Sequence, residues 1–298
     1  MMIDGRTRPA GVVGWPIDHT LSPAMHNAAY EEMGLNWVYL PLAVPDAGAL
    51  VRFTDAARSL SFVGFNVTMP HKQSILQLCD EVAMLAQMAG AVNAVHCVDG
   101  RLIGYNTDSR GLLESLAEET EFVPEGKRVV LLGAGGAAGA AVASFILGKA
   151  AHLTVVNRDL ERAGVLQERV SRYLRGMELE TTTPTTGAEA AIAQADLVVN
   201  ATSLGMKPDD ESPVPVEWLH SGLTVYDMVY CTSRTALIAG AEAAGSHAVG
   251  GLGMLVAQGA LAIDIWTENA QLRAPRTLMR QAAEAALARY ESEGGDQS

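Results

Sequence analysis

The sequence predicts an α/β protein in two parts, the second a doubly wound parallel sheet, and three features carry that reading. The first is the stretch Arg128–Gly139, RVVLLGAGGAAG. A short run rich in β-branched residues, Arg128–Leu132, meets glycines at 133, 135 and 136. Behind them Ala137–Leu147 is almost wholly apolar, as suits a helix buried on a sheet. The second is the alternation that follows: strand-like runs at Leu153–Val156, Asp196–Asn200, Thr224–Val229 and His247–Val249 are separated by helical stretches. Such alternation implies a parallel sheet with helices on both faces. The third is size, since 298 residues that are 49 % apolar supply two cores.

The first part reads as α/β as well. Pro9–Gly14 is a strand, and Ser22-Pro23 has the look of an N-cap with proline in the first turn of a helix that stops at Gly34. Trp37–Leu42 is a strand, Ala49–Leu60 a helix and Phe62–Val67 a third strand. Pro70 ends that strand, and a helix is expected from about His71, which puts Lys72 near a helix start. The helix dipole disfavours a cation there by several tenths of a kcal/mol, so Lys72 is a candidate for a lowered pKa, with a solvated lysine as the alternative. Ala91–Cys97 and Arg101–Tyr105 flank Asp99-Gly100, the signature of a hairpin with a type I′ turn. Asn93 falls in its first strand, where asparagine is disfavoured. Asp108 follows the second strand, either as a helix cap or as a functional carboxylate.

Strand, glycine turn and helix in that order open a dinucleotide-binding, Rossmann-type fold. The physical point is the helix N-terminus, where unpaired N–H groups and roughly half a positive charge can meet a pyrophosphate. The third glycine of the G-x-G-x-x-G spacing is Ala138, small enough for close helix–sheet packing. An acidic residue about 20 positions on holds an unphosphorylated ribose in such folds. Here Asn157 stands 24 positions after Gly133, followed by Arg158, with Arg162 one turn further. Two arginines suit a 2′-phosphate and favour NADP. Asp159 between them weakens that preference: it could pair with Arg162, or accept from a ribose hydroxyl and favour NAD. Ala201–Met206 ends a strand at the carboxyl edge, where α/β sheets bind ligands. Gly250–Met254 opens a long helix carrying Gln258 on an apolar face, the last helix spans about Thr277–Tyr290, and the terminal GGDQS is expected to fray.

Bulk properties exclude other classes. A net charge of −13 argues against nucleic acid or an anionic membrane as the main partner. Cys79, Cys97 and Cys231 form neither a disulfide framework nor a metal cluster, and no metal is expected. This fits a reducing cytoplasm. Val249–Trp266, the most apolar tract, is broken by glycines, Gln258 and Asp264 and reads as a buried helix.

Together the motifs HTLSPAMHN, GFNVTMPHK, GAVNAV, GYNTDSRG, LLGAGGAAGA, VNR, VNATSLGM, YDMVY and GGLGMLVAQGA resemble, in order, those of the shikimate/quinate dehydrogenase family. The resemblance implies a substrate domain of residues 1–112 completed by 249–298, a Rossmann domain of 113–248, and an active site in the cleft between. It implies Lys72 and Asp108 as the catalytic pair, with Thr20 and Ser22 holding the substrate carboxylate. Thr68, Asn93, Tyr230 and Gln258 make the remaining substrate contacts. Gly133, Ala134, Gly135, Gly136, Ala137, Ala138, Asn157, Arg158, Asp159, Arg162, Thr202, Ser203, Met228 and Gly251 fall to the cofactor. The implied reaction is the reversible NADP-dependent reduction of 3-dehydroshikimate to shikimate by a monomer or homodimer. Alternatives are a quinate/shikimate or aminoshikimate-type enzyme using NAD or NADP, and a non-catalytic sensor, which would not need Lys72 and Asp108. Three departures stand out: Thr20 where many members have Ser, Ala94 where Thr is usual, and Cys231-Thr232 in place of a proline-containing turn.

Overall fold

The computed structural model describes residues 3–207, 209–232 and 234–292, so the terminal GGDQS lies outside the described residues. The chain divides into two compact units, one running to Thr107 and resumed from Leu255, the other Asp108–Met254. The breaks thus fall a few residues from those expected at 112 and 248. The helix beginning at Asp108 goes with the second unit because it packs on the helix after the glycine turn.

The first unit contains β1 (Arg8–Gly14), α1 (Ser22–Glu32), β2 (Trp37–Ala43), α2 (Ala47–Ser59), β3 (Gly64–Val67), β4 (Glu81–Val82), α3 (Met84–Ala89), β5 (Ala94–Val98) and β6 (Arg101–Tyr105). Its sheet has the order β2-β1-β3-β5-β6-β4. β1 runs parallel to β2 and β3, whereas β5 is antiparallel to both its neighbours. Asp99 and Gly100 both have positive φ, +48° and +73°, as the type I′ hairpin requires.

Two local expectations are corrected. No helix starts at His71; the chain turns and forms only a short 3-10 helix over Ser74–Gln77. The reason is a competing bond: the Lys72 carbonyl accepts from Val92 N–H at 2.8 Å, so it is committed to another segment and not to its own helix. The dipole argument for Lys72 falls with that helix. Ser22 is not an N-cap either: it is already the first helical residue, Leu21 precedes it as the cap, and no side chain makes a capping bond.

The second unit contains α4 (Asp108–Thr120), β7 (Arg128–Leu132), α5 (Gly136–Leu147), β8 (His152–Val156), α6 (Leu160–Val170), β9 (Glu178–Thr182), α7 (Ala188–Ile192), β10 (Leu197–Asn200), β11 (Thr224–Asp227), α8 (Ala236–Ala243) and β12 (His247–Val249). The sheet is parallel throughout, in the order β12-β11-β10-β7-β8-β9. Counted within this unit from β9, that is 3-2-1-4-5-6, the Rossmann order, with its switch point between β7 and β10. β7 and β10 are buried along their apolar length, and the core below them is built from Val130, Leu132, Val198, Val225 and Leu237. Asn93 lies just before β5, not in it. β9 and α7 have no clear sequence signature, because β9 alternates glutamates on a sheet edge.

The chain closes with α9 (Leu252–Thr267) and α10 (Arg276–Ser292). α10 packs along α1, and Trp266 of α9 donates its indole N–H to the Val95 carbonyl at 3.0 Å. No helix among the described residues is long and apolar enough to cross a membrane.

Candidate active site

The carboxyl ends of β1, β3 and β6 and the amino end of antiparallel β5 share one edge of the first sheet. Six candidate residues come from segments at this edge or bond to it. Thr20 and Ser22 follow β1, and the Thr20 hydroxyl accepts from Ser22 N–H at 3.3 Å. Ser22 is buried and Thr20 half-buried. Thr68 follows β3 and donates its N–H to the Val13 carbonyl at 2.8 Å, which sets it beside the end of β1. Lys72, half-buried, is fixed through its carbonyl to the segment preceding Asn93.

Asn93 is the hub. It is 2 % exposed, and its amide donates to Thr107 Oγ1 at 2.9 Å and to Gln258 Oε1 at 3.2 Å. Its Oδ1 accepts from Thr107 N–H at 2.7 Å. Its carbonyl accepts from the Asn66 amide at 3.0 Å, and Asn66 Oδ1 accepts from the Tyr39 hydroxyl at 2.8 Å. Gln258 is 8 % exposed and donates to the Leu255 carbonyl at 2.8 Å. These amides form one satisfied network, which fixes their rotamers before any ligand arrives. Asn66 and Thr107 were not singled out from the sequence. Asn66 could have been, since an asparagine inside the apolar run GFNV has no place in a strand without a partner.

In the second unit, Asp108 opens α4 and is 5 % exposed. Tyr230 lies past β11 and is half-buried. Burial, reinforced by Cys231 and Asp108, pushes its phenol up to about 12. Asp227, at the end of β11, is fully buried, and that burial raises its carboxyl above the usual range against the pull of three hydrogen-bond donors. It too escaped the sequence reading, although an acidic residue closing an apolar strand is the signal that could have found it.

The glycine turn has the geometry for a pyrophosphate. Gly133 has φ +103°, and a side chain there would press on Thr202 and the Ala201 carbonyl across the β7–β10 switch point. Gly135 is the N-cap of α5 and has no side chain to satisfy the first N–H groups. A Cβ at Gly135 or Gly136 would meet nothing within 4 Å. The helix start is therefore open to an anion. Ala134 and Ala138 are buried, Ala137 half-buried, and Ala138 packs without exposure.

Beyond β8, the Asn157 amide donates to the Asp159 carbonyl at 2.7 Å. Asp159 is the N-cap of α6, accepting from Arg162 N–H at 3.1 Å, so its bond to Arg162 goes to the backbone. Arg158, Asp159 and Arg162 are all exposed. Thr202 is half-buried and donates its hydroxyl to Asn200 at 2.7 Å, whereas Ser203 is exposed. Gly251 is buried against the Met228 peptide, where any Cβ would collide with the Met228 carbonyl oxygen. That close approach demands glycine.

A cavity of about 410 Å³ bounded by Arg6, Arg8, Arg58, Leu60 and Cys97 lies at the opposite, amino-terminal edge of β1 and β3. It contains no candidate residue, and Arg8 and Arg58 spend hydrogen bonds on the carbonyls of Ser61, Phe62, Leu78 and Gly100.

The chain matches known proteins over both units. Residues 12–95 match a model described as the shikimate dehydrogenase substrate binding domain, 115–206 one described as shikimate / quinate 5-dehydrogenase, and 251–284 one described as the shikimate 5'-dehydrogenase C-terminal domain. A shikimate dehydrogenase (NADP(+)) of Geobacter metallireducens is 42 % identical over 292 residues, 97 % of this chain and 100 % of the relative. A crystal structure of a shikimate dehydrogenase in complex with NADP+ superposes with a TM-score of 0.88 at 36 % identity, covering 96 % of this chain and 98 % of that one. Quinate dehydrogenase from Corynebacterium glutamicum, in complex with NAD, gives 0.85 at 30 % identity over 94 % and 99 %. With matches of this length in both units, the chain belongs to the shikimate/quinate dehydrogenase family.

Proposed function

We propose that this protein catalyses the reversible, NADP-dependent reduction of 3-dehydroshikimate to shikimate. The observation that carries this reading is the sheet edge at which Thr20, Ser22, Thr68, Lys72 and Asn93 lie, with Gln258 bonded to Asn93. The unit running to Thr107 and resumed at Leu255 holds the ring acid, and the unit 108–254 holds the dinucleotide. Thr20 and Ser22 donate to the substrate carboxylate; Thr68, Asn93, Tyr230 and Gln258 bind the ring hydroxyls. Hydroxyls and amides of this kind hold a polyhydroxylated acid without flooding the site with charge.

The dinucleotide supplies the hydride in one direction and takes it in the other. A secondary alcohol can release hydride only as its O–H proton leaves, so a base must stand ready. Lys72 takes that proton. Asp108 orients the hydroxyl and balances the ammonium that forms. The open start of α5 receives the pyrophosphate, with Gly133 to Ala138 as its cradle, Asn157, Arg158 and Arg162 meet the 2′-phosphate end, and Thr202, Ser203, Met228 and Gly251 border the rest. Three separated free cysteines fit a reducing cytoplasm, and the protein acts as a monomer or homodimer.

The second reading is a quinate/shikimate enzyme using NAD, favoured by the likeness to the quinate dehydrogenase. Initial rates with shikimate and quinate, each with NADP and NAD, separate the two. Highest kcat/KM for shikimate with NADP supports the proposal, and highest kcat/KM for quinate with NAD replaces it with the second reading.

A further inference from the structure

Asp227 is the one fully buried carboxylate among the described residues, and the chemistry above does not use it. Its two oxygens are committed to three donors. Oδ1 accepts from the Asn200 amide at 2.9 Å and from Val229 N–H at 3.1 Å, and Oδ2 accepts from the Thr235 hydroxyl at 2.7 Å. The network continues outward. Asn200 Oδ1 accepts from Thr202 through both N–H (3.0 Å) and hydroxyl (2.7 Å), and the Asn200 amide also donates to the Leu204 carbonyl at 3.0 Å. Thr202 in turn accepts from Leu204 N–H at 3.1 Å. The Cys231 thiol, 3.4 Å from the Met206 carbonyl, ties the same two loops a second time.

Folding alone does not call for this arrangement. β10 and β11 are already joined by their ladder from Leu197–Thr224 to Asn200–Asp227. A buried carboxylate between them is costlier than an apolar side chain of like size, and such groups are weak evidence for a stability role. What the network does fix is direction. Asn200 and Asp227 are the last residues of adjacent strands, beside the switch point, and their side chains bond to each other, to the loops that leave those strands and to Thr235, the N-cap of α8. Those loops carry Thr202, Ser203, Met228 and Tyr230. A satisfied polar network specifies one arrangement, whereas an apolar plug would tolerate several.

We propose that Asp227 is a positioning residue that sets the 202–206 and 228–231 loops, through Asn200, Thr235 and Val229 N–H, in the conformation that receives the dinucleotide. This rests on the reading of those loops as part of the cofactor site. It requires the acceptor geometry of Asp227 and not its charge. An asparagine oxygen would still accept from Asn200 and Val229, and its NH₂ would donate to the Thr235 oxygen, which keeps acceptor capacity.

The test compares Asp227→Asn, Asp227→Leu and Thr235→Val with the wild type, well below each midpoint of thermal unfolding. NADPH affinity is read by fluorescence titration, which needs no turnover, and KM is measured for NADP and for shikimate. Asp227→Leu is expected to weaken NADPH binding and raise KM for NADP about tenfold or more, and to raise KM for shikimate as well, because the 228–231 loop carries Tyr230. Asp227→Asn should restore both to within about threefold of wild type. Thr235→Val removes the bond to Asp227 together with the α8 capping bond from Ile238 N–H and carries the test should Asp227→Leu not fold; an increase of about threefold in the NADP KM is expected. A wild type that binds no NADPH overturns the functional reading before any variant is compared. Dinucleotide affinity unchanged in Asp227→Leu, or in Thr235→Val where the former does not fold, overturns the positioning role and leaves a structural one. An Asp227→Asn protein as impaired as Asp227→Leu overturns it in favour of a requirement for charge.

Discussion

At the scale of single residues, Ser22 and Lys72 are the positions where function and structure can be separated. Because no side chain caps α1, replacing Ser22 by alanine removes no capping bond, and its thermal midpoint should move little. As a donor to a carboxylate it contributes roughly 1.5–3 kcal/mol, so Ser22→Ala should raise the KM for the acid substrate about tenfold or more. A variant that loses stability while its KM stays put would assign Ser22 to the fold. Lys72 is tethered through its carbonyl, a bond every residue type can make, so Lys72→Ala should fold. Its turnover should drop by a factor of ~100 or more, the range of a general base, with dinucleotide affinity scarcely altered. Retention of more than about a tenth of the wild-type rate would reduce Lys72 to a surface lysine. The sequence singles out Asn93 and Gln258 because polar groups interrupt apolar runs there, and Lys72 through an expected helix start that does not form and through the family resemblance. It hides Asn66, Thr107 and Asp227, whose partners lie 27, 14 and 27 residues away and are joined only by strand pairing.

At the scale of elements, strands buried on both faces and the glycine turn were legible from composition and period, since β7, β8, β10 and β11 are short apolar runs between turn residues. The helix expected at His71 was not formed, because the bond from Val92 to the Lys72 carbonyl is a tertiary contact that no local pattern announces. Nor could the local sequence decide among the roles of Asp159. As the N-cap of α6, Asp159 sits where threonine also caps, so Asp159→Thr should cost little stability while removing a negative charge between Arg158 and Arg162. The exposed carboxylate repels a 2′-phosphate only weakly, because water and salt screen it. Asp159→Thr should therefore widen the preference for NADP over NAD modestly, whereas Arg158→Ala should narrow or reverse it. The measurement is kcat/KM with both dinucleotides. Should the wild type prefer NAD, and Asp159→Thr damage NAD use most, the carboxylate is a ribose ligand and the arginines have been misassigned.

For the molecule as a whole, the division into two units leaves α1, α9 and α10 to close the first core, and that core contains an acid-sensitive group. His26 of α1 is fully buried, stacked on Tyr39 with ring centres 4.0 Å apart, and its Nε2 has no hydrogen-bond partner. Burial pulls its imidazole down to about 3 from an ordinary value of 6.5. The folded state thus resists a proton that the unfolded chain accepts, so stability complete above pH 6.5 is lost as the pH falls toward 3. His96, also buried, is shifted in the same direction by burial and by Arg8, against the pull of Glu268. Asp227 acts with the opposite sign, since a raised carboxyl gains its proton more readily in the folded state. The contribution of His26 should begin near pH 6.5 with a slope of up to about 1.4 kcal/mol per pH unit. Urea unfolding between pH 6.5 and 4.5 reads that slope directly. In His26→Phe, which keeps a ring against Tyr39 but cannot take a proton, the slope should fall by about that amount whatever the stability at pH 7. Parallel pH profiles for the two proteins would mean that His26 is protonated in the fold without cost, and that the acid limb belongs to other groups.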